Sequence, residues 1–113
     1  TIARAVTSIH SQPEYDWSVK KIAQGVSLSP SRFSARFTET MGITPMVYVA
    51  RWRMYLASKL LNDTHLGLEQ VSTKVGYENI AAFSRAFKKY VGSPPGVWRK
   101  NNNENVMLKD KNN

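Results

Sequence analysis

The chain repeats one pattern of apolar residues and glycine after about fifty residues. The first copy consists of Val19, Ile22, Val26, Leu28, Phe33, Phe37 and Gly42, and the second of Leu68, Val71, Val75, Tyr77, Phe83, Phe87 and Gly92. One extra residue precedes the phenylalanine pair of the second copy. Self-similarity at such an interval indicates one supersecondary unit used twice. A short apolar-periodic helix, a tight turn and a second helix are typical of a helix-turn-helix.

Helix start signals recur along the whole chain and predict an all-α fold of about seven helices. The spacing of apolar residues predicts a helix over 2–11 and another over 17–25, with Asp16 as its N-cap. Ser29-Pro30 and Thr44-Pro45 predict two further starts, because proline lacks an N–H that the first helical turn leaves unbonded. The remaining helices are predicted over 30–41, 45–61, 68–75 and 79–91, followed by a short one that ends near Arg99.

The longest predicted helix lies between the two copies of the repeat. We therefore predict a helix-turn-helix lobe over 1–44, a linker helix over 45–61 and a second lobe over 62–100, which together form one domain over 1–100. At about 1.5 Å per residue the linker is about 24 Å long, enough to hold the lobes apart in a fixed relation. The Asn-rich segment 101–113 has little apolar surface to bury and is predicted to be disordered.

The charge of the chain favours a polyanionic partner. Sixteen Lys and Arg against eight Asp and Glu give a formal charge of +8, which attracts a polyanion over long range but does not separate DNA from RNA or anionic lipid. No apolar run approaches the roughly 20 residues needed to span a bilayer, so no membrane partner is predicted. With no cysteine, and with only His10 and His65, the sequence predicts no metal, no cofactor and no catalytic residue.

The outward faces of the third and sixth helices are candidate DNA-reading surfaces. A helical wheel turns both phenylalanine pairs inward. The opposite positions are Ser31, Ser34, Ala35 and Thr38 on the third helix, and Ala81, Ser84, Arg85 and Lys88 on the sixth. Arg85 is the main predicted base reader, because paired contacts from Arg to guanine are worth about 1–3 kcal/mol of discrimination. An ordinary solvated face is the alternative for each helix alone, and the repetition favours DNA.

Several motifs of the second copy stand in a recognisable order. They are Gly76-Tyr77, Phe83 and Phe87 with Arg85 between them, Lys88, Gly92, Pro94 or Pro95, and the closing Trp98-Arg99. Together with Arg53-Met54, Ala57 and Leu60-Leu61 ahead of them, these residues resemble the AraC/XylS family of transcription regulators. The stretch LSPSRFSARFTETMGITP resembles the first helix-turn-helix of the same family. The resemblance covers about residues 1–100.

The resemblance implies that helices 30–41 and 79–91 read two successive major grooves of double-stranded DNA. The base-reading positions that it carries over are Ser31, Ser34, Ala35, Ile80, Ala81, Ser84 and Arg85. It also implies activation of transcription through contact with RNA polymerase, a cytoplasmic location and an N-terminal effector or dimerisation domain outside this chain. Two departures are visible: the first lobe offers small side chains where several members have long polar or aromatic ones, and Ser72 replaces a usual alanine.

Other polar side chains near these positions are candidates for phosphate contacts. We predict that role for Arg32, Arg36, Thr38, Lys88 and Lys89. Arg51, Arg53, Lys59 and Lys74 either neutralise phosphates as well or only keep the surface soluble. Two other functions stay open at this point: a DNA-targeting module of a larger enzyme, such as a DNA-repair protein, and a basic helical protein that coats nucleic acid without sequence preference.

Overall fold

The computed structural model describes residues 1–102, which form helices and connecting loops without a strand. The helices are α1 (Ile2–Ser11), α2 (Val19–Gly25), α3 (Pro30–Met41), α4 (Pro45–Asp63), α5 (Leu68–Lys74) and α6 (Ile80–Val91). A further helix, α7, covers 95–102. The predicted all-α class with about seven helices is confirmed for this part of the chain. None of its helices is long and apolar enough to cross a bilayer.

The predicted N-cap of α2 is wrong. Ser18 is the N-cap, because its Oγ accepts a hydrogen bond from the Lys21 backbone N–H at 3.1 Å. The predicted cap, Asp16, instead accepts a hydrogen bond from the Lys21 ammonium at 3.2 Å. Both residues carry a suitable acceptor oxygen two positions apart, so the sequence alone did not separate them. The first backbone bond of the helix, from Ile22 N–H to the Ser18 carbonyl at 3.0 Å, decides the position.

Two helices extend beyond their predicted ends. The long helix α4 continues to Asp63, two residues past the predicted end at Leu61, and is about 28 Å long at about 1.5 Å per residue. Helix α7 continues to residue 102, past the predicted end near Arg99. The remainder of the predicted disordered tail, 103–113, lies outside the described residues.

The described part of the chain divides into two compact units, one over Thr1–Arg53 and one that begins at Met54. The first unit contains α1, α2, α3 and the first half of α4. The second contains the rest of α4 with α5, α6 and α7. The division therefore falls inside the helix that the sequence had suggested as a separate linker, and the predicted lobe boundaries remain a prediction.

The core of the first unit surrounds two phenylalanine rings of α3. Its buried residues are Ala5, Ile9, Ile22, Ala23, Phe33, Phe37 and Val49. The ring centroids of Phe33 and Phe37 lie 5.6 Å apart, and Tyr48 meets Phe37 edge-on at 5.7 Å. Burial of each phenylalanine is worth about 1.5–3 kcal/mol of hydrophobic free energy. This burial fixes which side of α3 faces the core and which side faces solvent.

The core of the second unit repeats this arrangement around α6. Its buried residues are Met54, Ala57, Leu61, Val71, Val75, Phe83 and Phe87. The centroids of Phe83 and Phe87 lie 5.8 Å apart, and Trp98 meets Phe87 edge-on at 5.8 Å. Trp98 stands fifty residues after Tyr48, so the sequence repeat corresponds to the same aromatic contact in both units.

The turn between the two helices of each motif requires one residue with positive φ. Gly76 supplies it in the second unit with φ of +98°, and Ser27 supplies it in the first with φ of +57°. The same backbone bond follows each turn residue: Leu28 N–H donates to the Ala23 carbonyl at 3.1 Å, and Tyr77 N–H donates to the Ser72 carbonyl at 2.9 Å. An L-residue in the left-handed region costs about 1–2 kcal/mol, so the Ser27 turn is the more strained of the two.

Exchanging the turn residues is expected to change stability in opposite directions. Ser27→Gly relieves the left-handed strain but adds the chain entropy of glycine, and we expect a net gain of up to about 1 kcal/mol in the free energy of unfolding. Gly76→Ser introduces that strain and should cost about 1–2 kcal/mol. Urea denaturation followed by circular dichroism measures both values. Shifts of the same sign in the two variants would contradict this account of the turns.

Candidate nucleic-acid interface

Helix α3 begins and ends where its capping residues place it. The Ser29 side chain accepts a hydrogen bond from Arg32 N–H at 3.3 Å, and Pro30 occupies the first helical position. Gly42 ends the helix in the left-handed conformation with φ of +79°. Phe33 and Phe37 are fully buried. These constraints orient the remaining side chains of α3 toward solvent.

The solvent side of α3 carries the residues that the sequence proposed as a DNA-reading surface. We call Ser31, Ser34, Ala35 and Thr38 the α3 strip. Ser31 and Ala35 are exposed, and Ser34 and Thr38 are half-buried. An open depression on this side is lined by Pro30, Ser31, Ser34, Ala35, Thr38 and Glu39. The structure therefore brings the whole α3 strip together on one surface, and it adds Glu39, which the sequence reasoning missed.

Helix α6 presents a matching set of positions. Asn79 caps it by accepting a hydrogen bond from Ala82 N–H at 2.8 Å, and Gly92 ends it with φ of +104°. We call Ala81, Ser84, Arg85 and Lys88 the α6 strip. Ser84 is half-buried and the other three are exposed. Ile80, at the start of the helix, is 39% exposed although it is a large apolar residue. Each position of the α6 strip follows its α3 counterpart by fifty residues.

The cationic side chains near the two strips are available for contacts with an anion. Arg32, Arg36, Arg85, Lys88 and Lys89 are exposed. Within residues 1–102 none of these five side chains forms a hydrogen bond or an ion pair, and the Lys89 ammonium lies 5.4 Å from the Tyr90 ring. Arg32 and Arg36 belong to the same helix as the α3 depression but do not line it. Lys88 belongs to the α6 strip, and Lys89 follows it on the same helix.

Two other arginines have structural partners. Arg53 donates from Nε to the Pro13 carbonyl at 2.9 Å and from Nη2 to the Tyr15 carbonyl at 2.7 Å. These bonds hold the loop between α1 and α2. Arg99 donates from Nε to the Leu61 carbonyl at 3.0 Å and thereby ties α7 to the end of α4. The sequence left two roles open for Arg53, phosphate contact and surface solubility. The structure adds a third, which is to support the first unit.

The comparisons with known proteins agree with this geometry. The model of a family described as a helix-turn-helix domain matches residues 22–101. A protein of Streptomyces lividans named as an AraC-like transcription regulator is 38% identical over 99 residues, which are 88% of this chain and 33% of that protein. The chain belongs to the AraC-type family of helix-turn-helix domains. The predicted family is thereby confirmed, together with the predicted kind of domain, a helix-turn-helix DNA-binding domain.

Solved AraC-type structures have the same fold. The C-terminal domain of AraT, a response regulator from Geobacillus stearothermophilus, has a TM-score of 0.85 at 29% identity, and the match covers 88% of this chain and 84% of that one. The DNA-binding domain of AdpA, solved in complex with a target DNA, has a TM-score of 0.84 at 22% identity and covers 88% and 89%. At that identity the likeness to AdpA concerns the fold alone. The chain spans about a third of the length of the curated relatives that it matches.

Ser72, the residue that departs from the usual alanine of AraC-type domains, has a defined place in the second unit. It is 1% exposed, and its hydroxyl donates a hydrogen bond to the Asn79 carbonyl at 3.1 Å. Asn79 is the N-cap of α6, so this bond joins α5 to the start of that helix across the turn. The counterpart of Ser72 in the first unit is Ala23, which has no hydroxyl to make such a bond.

The three tryptophans of this AraC-type domain pack against the two cores. Trp17 and Trp52 pack against the core of the first unit, and Trp98 packs against that of the second. His10 stacks on Trp52 with ring centroids 3.8 Å apart and shares a 2.6 Å hydrogen bond with the Tyr48 hydroxyl. Burial raises the pKa of the Tyr48 hydroxyl above its ordinary value. His10 is thus exposed and also attached to the packed aromatic group.

Proposed function

We propose that this AraC-type domain binds double-stranded DNA at a specific sequence by placing α3 and α6 in two successive major grooves, and that its protein regulates transcription. The observation that carries the proposal is that the two helices bury and expose side chains at the same positions, each within its own unit. Each buries two phenylalanines and exposes a strip of polar, small or cationic side chains at equivalent positions. A major groove is wide enough to admit an α-helix with its outward side chains.

In this proposal the base-reading residues divide between the two helices. Arg85 has the length and the two donors for a paired contact to guanine O6 and N7. Ile80, exposed at the start of α6, suits a thymine methyl group, as does the methyl side chain of Ala81. Ser31, Ser34, Ala35 and Ser84 are short, so they let the helix backbone approach the base edges closely. Direct readout in the second unit is then stronger than in the first.

The phosphate-binding residues in this proposal are Arg32, Arg36, Thr38, Lys88 and Lys89. The four cations are exposed, and none is engaged in an ion pair within the described part of the chain. Thr38 is half-buried, lines the depression on α3 and offers a hydroxyl donor. Contacts of this kind fix the register of a protein on the duplex and carry no sequence information themselves.

The wider role in this proposal follows from the relatives. The S. lividans protein and AraT are named as regulators and not as repair enzymes, so we retain a regulator and assign no catalytic step. We include activation through contact with RNA polymerase, a cytoplasmic location and an accompanying N-terminal effector or dimerisation region. The last of these accords with a relative that is about three times as long as the matched stretch.

Selection of bound duplexes from a random pool, followed by footprinting, tests the proposed function. We expect one asymmetric site with two half-boxes about 34 Å apart, one helical turn of DNA. If the four exposed cations contact phosphates, the logarithm of the affinity should fall with the logarithm of salt concentration with a slope of roughly −4. A footprint confined to one half-box, or equal affinity for selected and random duplexes at fixed salt, would contradict the proposal.

A further inference from the structure

The two reading helices carry opposite charges at one pair of equivalent positions, Glu39 on α3 and Lys89 on α6. Lys88 and Lys89 on α6 correspond to Thr38 and Glu39 on α3, at the repeat interval of fifty residues. Glu39 is the one carboxylate on either helix. Glu39 therefore places an anion in the first unit where Lys89 places a cation in the second.

The structure places Glu39 on the same surface as the α3 strip. It is exposed, and it lines the depression that Ser31, Ser34, Ala35 and Thr38 also line. Arg36 stands one helical turn earlier, yet the Glu39 carboxylate forms no ion pair or hydrogen bond with any of residues 1–102. Its charge is therefore not neutralised by a neighbour on the helix. A duplex that approaches the α3 strip meets this carboxylate.

A carboxylate at a DNA-facing position affects matched and unmatched sequences differently. Near phosphates it is repelled, which weakens binding to every duplex. In the major groove it has a favourable partner in the N4 amino group of cytosine, from which glutamate and aspartate accept hydrogen bonds. Only a sequence with a cytosine at the right base pair compensates the repulsion. The small residues of the α3 strip favour the close approach that this contact needs.

We propose that Glu39 is a specificity-determining residue of the first unit, which accepts a hydrogen bond from a cytosine amino group and disfavours duplexes that lack one there. This inference rests on the proposed DNA binding. It gives the first unit direct base readout through a carboxylate, although its strip carries no long donor. The second unit, with Lys88 and Lys89, anchors to phosphates.

Two substitutions separate the charge of Glu39 from its hydrogen bond. Glu39→Ala removes both, so we expect affinity for random duplexes to rise at low salt and the cytosine preference at one base pair to fall by about 5- to 10-fold. Glu39→Gln removes the charge and keeps an acceptor oxygen. It should raise the affinity for random duplexes similarly while retaining a preference for an amino-bearing base, cytosine or adenine, at that pair. Duplex selection and competition binding measure both effects.

Glu14→Ala is the matched control, because it removes the same charge from the same unit in the exposed loop between α1 and α2. It should leave all base preferences unchanged, and an unchanged thermal midpoint shows that each variant is folded. If Glu39→Ala raises the affinity for selected and random duplexes by the same factor, Glu39 only repels DNA and the inference is wrong. A wild-type chain without sequence preference would overturn the proposed function and this inference together.

Discussion

Phe87→Ala is expected to lower the free energy of unfolding by about 3–5 kcal/mol, because it removes a buried ring and leaves a cavity that the helices fill only in part. Phe87 is 0% exposed and contacts both Phe83 and Trp98 with centroids 5.8 Å away. Domains of this size have a total free energy of unfolding of about 5–15 kcal/mol, so this substitution removes a large share of it. Urea denaturation followed by tryptophan fluorescence, with Trp98 near the cavity, measures the change.

Lys88→Ala is the control for Phe87→Ala, because it truncates the neighbouring residue on the exposed side of α6. Its effect on stability should stay within about 0.5 kcal/mol. Phe37→Ala makes the equivalent cavity in the first unit, where Phe37 is also 0% exposed, and should cost a similar amount. A loss below about 1 kcal/mol for Phe87→Ala would mean that the ring is not a principal support of the second unit.

Much of the fold was predictable because residues that typically start or end a helix flank the helices of the apolar repeat. Ser29-Pro30 and Gly42 mark both ends of α3, and the two glycines that follow α3 and α6 adopt the left-handed conformation. The phenylalanine pairs, four residues apart, indicate which side of each helix is buried. These signals are local, so they can be recognised in the sequence without knowledge of the tertiary structure.

The predictions that failed or were missing depend on contacts that the local pattern does not contain. The N-cap of α2 was assigned to Asp16 because two acceptors stand close together. The bonds of Arg53 reach carbonyls about forty residues earlier in the chain, so a helical wheel shows only an arginine on a helix. Ser27 has positive φ although serine gives no such signal, and the only sign of it in the sequence is that Ser27 occupies the position of Gly76 in the repeat.

The candidate interface was predictable to the extent that burial decides it. Once the phenylalanine pairs face inward, the α3 strip and the α6 strip lie on the solvent side, where five of their positions are exposed and Ser34, Thr38 and Ser84 are half-buried. The wheel did not single out Glu39, because a carboxylate on a solvated helix is ordinary. Its place with Ser31 and Thr38 in one depression is the observation that supports its proposed role in specificity. The DNA contacts of these residues remain predictions.

Arg85→Ala is expected to weaken binding to the selected duplex by about 1–3 kcal/mol, or roughly 5- to 150-fold. The reason is the loss of the paired contact to guanine that we assign to this exposed side chain. Preference should relax at one base pair only, while affinity for random duplexes falls little. Competition binding with duplexes that differ at single positions measures both quantities at fixed salt.

Lys88→Ala distinguishes base readout by Arg85 from a general charge effect, because both residues are exposed cations on the α6 strip. A phosphate contact is independent of sequence, so this variant should weaken binding to all duplexes alike. It should also reduce the magnitude of the salt slope by about one. Arg85→Ala should change the order of preference among duplexes, which Lys88→Ala leaves intact. If the two variants have the same effect on every duplex, Arg85 binds phosphate, and base readout by the second unit must come from Ile80, Ala81 or Ser84.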